Sequence, residues 1–140
     1  MRSPQIVIRE ADGWVARQLH EAATEHRWLI REPKSTTEAL SLAREARPTL
    51  LVVQVEPAGE EPAAFALIAE VARCNPAVPT IAVSDTKLPD AERIAWTAAI
   101  FDLGAAFALF PPLSKSILED AATGLLLAAI RRAQAGGTAS

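Results

Sequence analysis

The sequence predicts an α/β fold: a three-layer, doubly wound (βα)5 arrangement in which a five-stranded parallel sheet lies between helices. Short apolar segments alternate five times with longer amphipathic segments, as right-handed β-α-β crossovers require. The connections are short and carry proline, glycine or helix-capping residues. Residues 50–53, Leu-Leu-Val-Val, have no polar alternation, which is typical of a strand covered on both faces.

Polar residues follow several of the predicted strands. The strands are residues 6–8, 28–30, 50–53, 80–84 and 107–110. Arg9 and Glu10 follow the first, Gln54 and Glu56 follow the third, and Ser84 ends the fourth. Open parallel sheets bind ligands beyond the carboxyl ends of their strands, where the strand order reverses. We therefore expect these side chains to define what the protein can do.

The helices are predicted from apolar residues at helical spacing and from their ends. Asp12 is placed to cap the first helix, and Ser35 with Glu38 has the capping-box spacing at the second. Gly104 follows the fourth helix, where a C-terminal cap is expected. The third helix is predicted over residues 63–73 and the fifth from about residue 116 to about 132.

Length, composition and charge bound the function. The 140 residues predict one domain over residues 1–135, with a disordered tail over residues 136–140. The net charge of −3 argues against a nucleic-acid surface. Cys74 is the only cysteine, so neither a disulfide framework nor a cysteine zinc cluster is expected. No segment resembles a signal peptide or membrane span, which predicts a cytoplasmic protein without a membrane partner.

Motifs along the chain resemble those of a known family. Receiver domains of bacterial two-component response regulators carry similar motifs in the same order and at matching intervals. In this chain the motifs are Glu38-Ala39-Leu40, the segment from Pro48 to Gln54, Ser84, Gly104-Ala105 and Pro111-Pro112. The resemblance covers residues 6–133 and implies the flavodoxin-like, CheY-like receiver fold.

The positions that carry receiver chemistry differ. The family's phospho-acceptor aspartate aligns with Gln54, and an amide cannot form an acyl phosphate by that route. The acidic pair that helps hold magnesium aligns with Arg9 and Glu10, and the phosphate-contacting lysine aligns with Pro111. Ser84 alone matches, at the switch hydroxyl. We interpret the chain as a degenerate pseudo-receiver that needs no metal or cofactor, with a vestigial phosphorylation pocket of Arg9, Glu10, Gln54, Glu56, Ser84 and Pro111.

Several roles within that pocket stay open. Gln54 either anchors a hydrogen-bond network that holds one state or is a polar plug without a regulatory role. Arg9 either pairs with Glu10 or Glu56 or receives an anionic ligand. The bond between Pro111 and Pro112 can be cis or trans.

A partner surface is predicted from surplus apolar residues. The last helix is more apolar than packing on one face of a sheet requires, and the fourth helix and fifth strand add large apolar side chains. In receivers the corresponding face is the usual dimer and partner surface. We therefore predict a homodimer or protein-partner face formed by Trp96, Ile100, Phe107, Phe110, Leu118, Leu126 and Ile130.

The function that follows is signalling by contact. The leading hypothesis is a non-enzymatic pseudo-receiver that acts by phosphorylation-independent protein–protein interaction and self-associates. The alternative is a small-ligand or anion sensor that uses the vestigial phosphorylation pocket. An enzyme is the least supported class, because the chain has no dinucleotide fingerprint, no phosphate-binding glycine loop with lysine and no zinc-protease motif.

Overall fold

Five β-strands alternate with five α-helices in the computed structural model, which describes residues 2–57, 59 and 62–138. Their bounds in chain order are β1 (Gln5–Arg9), α1 (Trp14–His26), β2 (Leu29–Arg31), α2 (Thr36–Ala43), β3 (Thr49–Gln54), α3 (Ala63–Cys74), β4 (Thr80–Val83), α4 (Asp90–Asp102), β5 (Phe107–Leu109) and α5 (Lys115–Thr138). The predicted alternation of strands and helices is confirmed.

All strand pairs are parallel, and the order across the sheet is β2-β1-β3-β4-β5. The central strand is β3, and its apolar residues 50–53 are fully buried, as their unbroken hydrophobicity predicts. The chain turns from one half of the sheet to the other after β2, so the connections after β1 and β3 diverge at the carboxyl-terminal edge. The doubly wound fold class is confirmed, and this edge is its expected ligand-binding position.

Alternate residues of each strand supply two separate cores. On one face Ile8, Leu50 and Val52 pack with residues of α1 and α5. On the other face Leu51 and Val53 pack with residues of α2, α3 and α4. Because side chains alternate along a strand, a register shift of one residue would exchange the two cores.

The helix ends follow sequence signals in two places. The Ser35 hydroxyl accepts a hydrogen bond from the Glu38 amide at 3.0 Å, which confirms the predicted cap of α2. After α4, Gly104 has φ 109°, its amide donates to the Phe101 carbonyl, and the next amide donates to the Ile100 carbonyl. This pair of bonds is a Schellman motif, so the predicted glycine cap is confirmed.

The structure changes the predicted partner face. Ile100, Leu118 and Leu126 are fully buried in the cores, and Phe110 is also buried, so these four side chains cannot line a surface of the folded domain. Leu118 and Leu126 are buried because α5 packs against both the sheet and α1 and therefore uses a wide apolar arc internally. Ile100 and Phe110 are buried in the core on the other face of the sheet, with residues of α2 and α3.

The remaining predicted members of that face differ in exposure. Trp96 is partly buried and stacks on Phe65, with ring centroids 5.4 Å apart. Ile130 is also partly buried, whereas Phe107 is exposed on the edge strand β5. Of the seven residues predicted for this face, only Phe107 is therefore exposed.

The chain end also departs from expectation. Helix α5 continues through Thr138 rather than ending near residue 132, and it includes the first part of the predicted tail. Residues 139 and 140 of that tail lie outside the described residues. No helix in the described ranges combines the length and apolarity needed to cross a bilayer.

Candidate functional site

A polar cavity lies at the carboxyl-terminal edge of the sheet, beyond β1 and β3. Its volume is about 260 Å³. Its lining residues are Arg9, Glu10, Ala11, Asp12, Thr36, Gln54, Glu56, Ala63, Ala64 and Asp85. Four residues of the predicted pocket line it, namely Arg9, Glu10, Gln54 and Glu56, while Ser84 and Pro111 are not part of the lining.

Gln54, the last residue of β3, uses both ends of its side-chain amide. Its Oε1 accepts a hydrogen bond from the backbone amide of Ala11 at 2.9 Å. Its Nε2 donates to Glu56 Oε1 at 3.3 Å. The side chain therefore joins the β1–α1 connection to Glu56, in the connection that follows the central strand.

Glu56 carries this chain of hydrogen bonds to the connection after β4. The Thr86 hydroxyl donates to Glu56 Oε2 at 2.9 Å, and the Thr86 amide donates to the Ser84 hydroxyl at 3.1 Å. Ser84 is buried and is joined to the cavity through Thr86. Sequence reasoning missed Thr86, although the run Ser-Asp-Thr after an apolar strand could have indicated it.

Glu10 caps α1 instead of facing the cavity as a free carboxylate. Its two oxygens accept from the amides of Val15 and Ala16 at 2.9 and 3.0 Å. The N-cap position is occupied by Gly13, which has φ 76° and no side chain to offer. A carboxylate at this end also complements the helix dipole. The prediction that Asp12 caps the helix is wrong, because Glu10 supplies both bonds.

Arg9 makes neither of the predicted ion pairs. Its Nη1 donates to the backbone carbonyl of Glu10 at 3.1 Å, and no carboxylate of Glu10 or Glu56 lies within ion-pair distance. The Nε is buried without a hydrogen-bond partner among the described residues. The Pro111–Pro112 bond is cis, which answers the question that the sequence leaves open.

The side chains at the positions that the resemblance assigns to metal binding, Arg9, Glu10 and Gln54, do not fit a magnesium ion. Magnesium needs several oxygen ligands in near-octahedral geometry. Both Glu10 oxygens are already engaged by helix amides, the Gln54 oxygen is engaged by Ala11, and the Arg9 guanidinium adds positive charge. In the part of the chain that the structure describes, no group of three or more His, Cys, Asp or Glu side chains is placed to hold a metal.

The fold is similar to solved structures of response-regulator receiver domains. A protein described as a response regulator, from Chloroflexus aurantiacus J-10-fl, matches with a TM-score of 0.68 at 20% identity, covering 90% of this chain and 99% of the other. The receiver domain of NtrX from Brucella abortus matches with a TM-score of 0.67 at 19% identity, covering 86% and 97%.

A third structure extends the comparison to nearly the whole chain. The signal receiver domain of a protein described as a LuxO repressor, from Vibrio parahaemolyticus, gives a TM-score of 0.71 at 12% identity, covering 99% of this chain and 98% of the other. No protein-family model and no curated protein sequence matches the chain. The likeness confirms the predicted receiver-type, flavodoxin-like fold.

Proposed function

We propose that this chain is a pseudo-receiver, a signalling module that binds a protein partner without accepting a phosphoryl group. The observation that carries the proposal is the state of Gln54. It stands where the resemblance places the acceptor aspartate, and both ends of its amide are hydrogen bonded, to Ala11 and to Glu56. An amide at that position supplies no carboxylate nucleophile.

The hydrogen bonds around Gln54 support a domain held in one arrangement. They run from Ala11 through Gln54 and Glu56 to Thr86 and Ser84, and so join the connections after β1, β3 and β4. Each bond is made by groups already present in the chain. The loops therefore need no added phosphate to be held together, and the signal is carried by the surface of the domain.

Phosphoryl transfer is the direct test of this proposal. The protein is incubated with acetyl phosphate and Mg²⁺, and separately with beryllofluoride and Mg²⁺, followed by intact-mass and tryptophan-fluorescence measurements. We expect neither the mass nor the fluorescence to change. Stable aspartyl phosphorylation, or tight Mg²⁺ binding by calorimetry, would refute the proposal.

The variant Gln54→Asp separates the missing nucleophile from the missing metal ligands. We expect it to stay unphosphorylated, because Glu10 remains engaged by the amides of Val15 and Ala16. Gln54→Asn is the matched control that keeps an amide. Rapid phosphorylation of Gln54→Asp alone would show that the metal site is intact and that one substitution accounts for the lost chemistry.

A second copy of the chain is the partner that we propose for the exposed apolar face of α4. Ile94 and Phe101 lie seven residues apart on this helix and are 62% and 46% exposed. They line a shallow cavity of about 270 Å³. A two-fold dimer needs only one self-complementary patch on each copy, and exposed apolar side chains are typical of such patches.

Oligomeric state tests the self-association. We expect the unmodified protein to sediment as a dimer and Phe101→Glu to sediment as a monomer. Leu29→Glu is the matched control, because Leu29 is 43% exposed but lies on β2, the outer strand on the side of the sheet away from β5. A monomer at high protein concentration, or equal dissociation of both variants, would contradict the proposal.

The alternative of an anion sensor in the vestigial phosphorylation pocket gains no support from the cavity lining. Glu10, Asp12, Glu56 and Asp85 contribute four carboxylates against the single guanidinium of Arg9. Carboxylates next to a bound anion are unfavourable, since each negative charge repels it. The carboxyl-terminal edge of the sheet is therefore a poor place for a phosphate or carboxylate ligand.

A further inference from the structure

A larger cavity lies at the opposite, amino-terminal edge of the sheet. Its volume is about 640 Å³, which is within the range of small-molecule sites. Its walls are the α2–β3 connection, the α3–β4 connection and the last turns of α5. Its lining residues are Arg2, Ala43, Arg44, Glu45, Ala46, Arg47, Pro48, Thr49, Asn75, Ala77, Val78, Ala129, Arg132 and Ala133.

Positive charge is concentrated in this lining. Four arginines line the cavity, and Glu45 is the single acidic residue among them. Glu45 is also shared, because its Oε1 lies 3.1 Å from Arg47 Nε, 3.7 Å from Arg2 Nη2 and 3.7 Å from Arg31 Nη1. One carboxylate therefore faces three guanidinium groups, of which those of Arg2 and Arg47 line the cavity.

The charge of Arg47 is also withdrawn from water. Its side chain is only 8% exposed, and its Nη1 donates to the Ser3 carbonyl at 3.3 Å. The Nε is close to Glu45 but is not aligned for a hydrogen bond. Burying a cation is costly unless it is fully paired, so a second anion at this place would be favourable.

The other lining residues provide an apolar surface beside these charges. Small apolar side chains from the end of α2, from the α3–β4 connection and from α5 form it, namely Ala43, Ala77, Val78, Ala129 and Ala133. A ligand that fits both parts has an anionic group and a compact apolar body. Guanidinium groups bind phosphate and carboxylate through paired hydrogen bonds.

We propose that this amino-terminal cavity binds a small organic anion, a phosphate or carboxylate carried by an apolar body. The site is independent of the vestigial phosphorylation pocket and of the α4 face. Arg132 supplies a charge that is free for the ligand, since it is exposed and has no ion pair among the described residues. The carboxyl ends of α2 and α3 lie nearby, and complementing their dipoles is the competing role for the arginines.

Titration calorimetry with phenyl phosphate tests the proposal, with benzoate as the carboxylate probe. Inorganic phosphate and phenol serve as the two halves of the phenyl phosphate molecule. We expect saturable binding of phenyl phosphate or benzoate and much weaker binding of either half. If the arginines serve only the helix ends, none of the four compounds binds, and that result would overturn the proposal.

Arg132→Gln and Arg131→Gln form a matched pair for locating the site. Both residues are exposed on α5 and lose the same charge, but only Arg132 lines the cavity. We expect Arg132→Gln to weaken binding about tenfold, as the loss of one charge-assisted hydrogen bond implies, and Arg131→Gln to leave it almost unchanged. Equal weakening in both variants would mean non-specific attraction and would contradict a defined site.

Discussion

The two edges of the sheet use charge in opposite ways. At the carboxyl-terminal edge, the charged and amide groups of Glu10, Gln54 and Glu56 are engaged by the chain's own amides and hydroxyls. At the amino-terminal edge, three guanidinium groups share one carboxylate oxygen. Glu10, Gln54 and Glu56 thus use their polar groups to hold the connections of the fold, whereas the arginines of the amino-terminal edge keep positive charge that can meet a ligand. Arg9 is the exception at the carboxyl-terminal edge, because its buried Nε has no hydrogen-bond partner among the described residues.

Gln5 and Gln54, one at each edge of the sheet, allow the stabilising effect of side-chain hydrogen bonds at the two edges to be compared. Gln5, at the amino-terminal edge, is fully buried, and its Nε2 donates to the Leu42 carbonyl at 2.9 Å and to Thr49 Oγ1 at 3.1 Å. Its Oε1 accepts from Arg31 Nη1 at 3.3 Å. Gln54, at the carboxyl-terminal edge, is only partly buried and makes two side-chain hydrogen bonds.

Gln5→Ala is expected to have the largest effect on stability. It leaves the Leu42 carbonyl and the Thr49 hydroxyl with one partner fewer in a buried environment and opens a cavity, which together lower the free energy of unfolding by about 3 kcal/mol. Gln54→Ala should lower it by about 1 kcal/mol, because water can replace its partners. Urea denaturation of both variants measures the difference. Equal losses of unfolding free energy would show that the hydrogen bonds of Gln5 stabilise the protein no more than those of Gln54.

Gly104→Ala tests the backbone at the amino-terminal edge, where α4 turns into β5. The left-handed φ of 109° is unfavourable for alanine, and the added Cβ would overlap the Cβ of Ala72. We expect a loss of about 2 kcal/mol in the free energy of unfolding.

Gly124→Ala is the control for Gly104→Ala. Gly124 lies within α5, and apart from its chain neighbours and the backbone of its own helix no described atom is within 4 Å of the position that its Cβ would take. Alanine is the better helix former, so this variant should gain up to about 1 kcal/mol. A gain from Gly104→Ala in the same urea denaturation would contradict the Schellman assignment.

Glu10→Ala tests the carboxylate that accepts hydrogen bonds from the first turn of α1 at the carboxyl-terminal edge. It removes both bonds to the first turn of α1, so the free energy of unfolding should fall by about 1 kcal/mol. Asp12→Ala is the control, since no hydrogen bond or ion pair of its side chain is found among the described residues. Thermal denaturation of the two variants decides whether Glu10 or Asp12 caps the helix. A larger loss for Asp12→Ala would restore the assignment that sequence spacing favours.

The fold could be predicted from local sequence patterns, whereas contacts between residues that are distant in the chain could not. The strand at residues 50–53, the Ser35 cap and the Gly104 turn were all predictable because their signals lie within a few residues. The capping role of Glu10 was not predictable, since it depends on the left-handed turn at Gly13.

The same limit applies to burial. The apolar excess of α5 was visible, but whether Leu118 and Leu126 face solvent or the core depends on α1, which is about 100 residues away in the chain and packs beside α5. The link from Thr86 to Glu56 likewise joins two loops that only the folded sheet brings together. Long-range packing therefore accounts for most of the difference between expectation and structure.

The exposed ion pair between Glu21 and Lys115 gives the smallest expected effect. It shows how much a paired charge contributes to stability when water surrounds it. Lys115 Nζ donates to Glu21 Oε2 at 2.9 Å and joins α5 to α1. This hydrogen bond and the lysine charge lower the pKa of Glu21 below its ordinary value. The stabilisation is therefore present above the unfolded-state pKa of Glu21 and is lost as pH falls through its folded-state pKa.

Lys115→Ala should raise the pKa of Glu21 back towards its ordinary value, as measured by NMR titration of the side-chain carboxyl. The stability difference between the unmodified protein and the variant should be small at neutral pH, because exposed pairs are well solvated, and should close as the solution is acidified. Adding salt to about 1 M should also close it. A stability difference that persists in acid and in high salt would mean that Lys115 stabilises the fold by packing its alkyl chain rather than by its charge. The pair would then say nothing about the contribution of paired charges at either edge of the sheet.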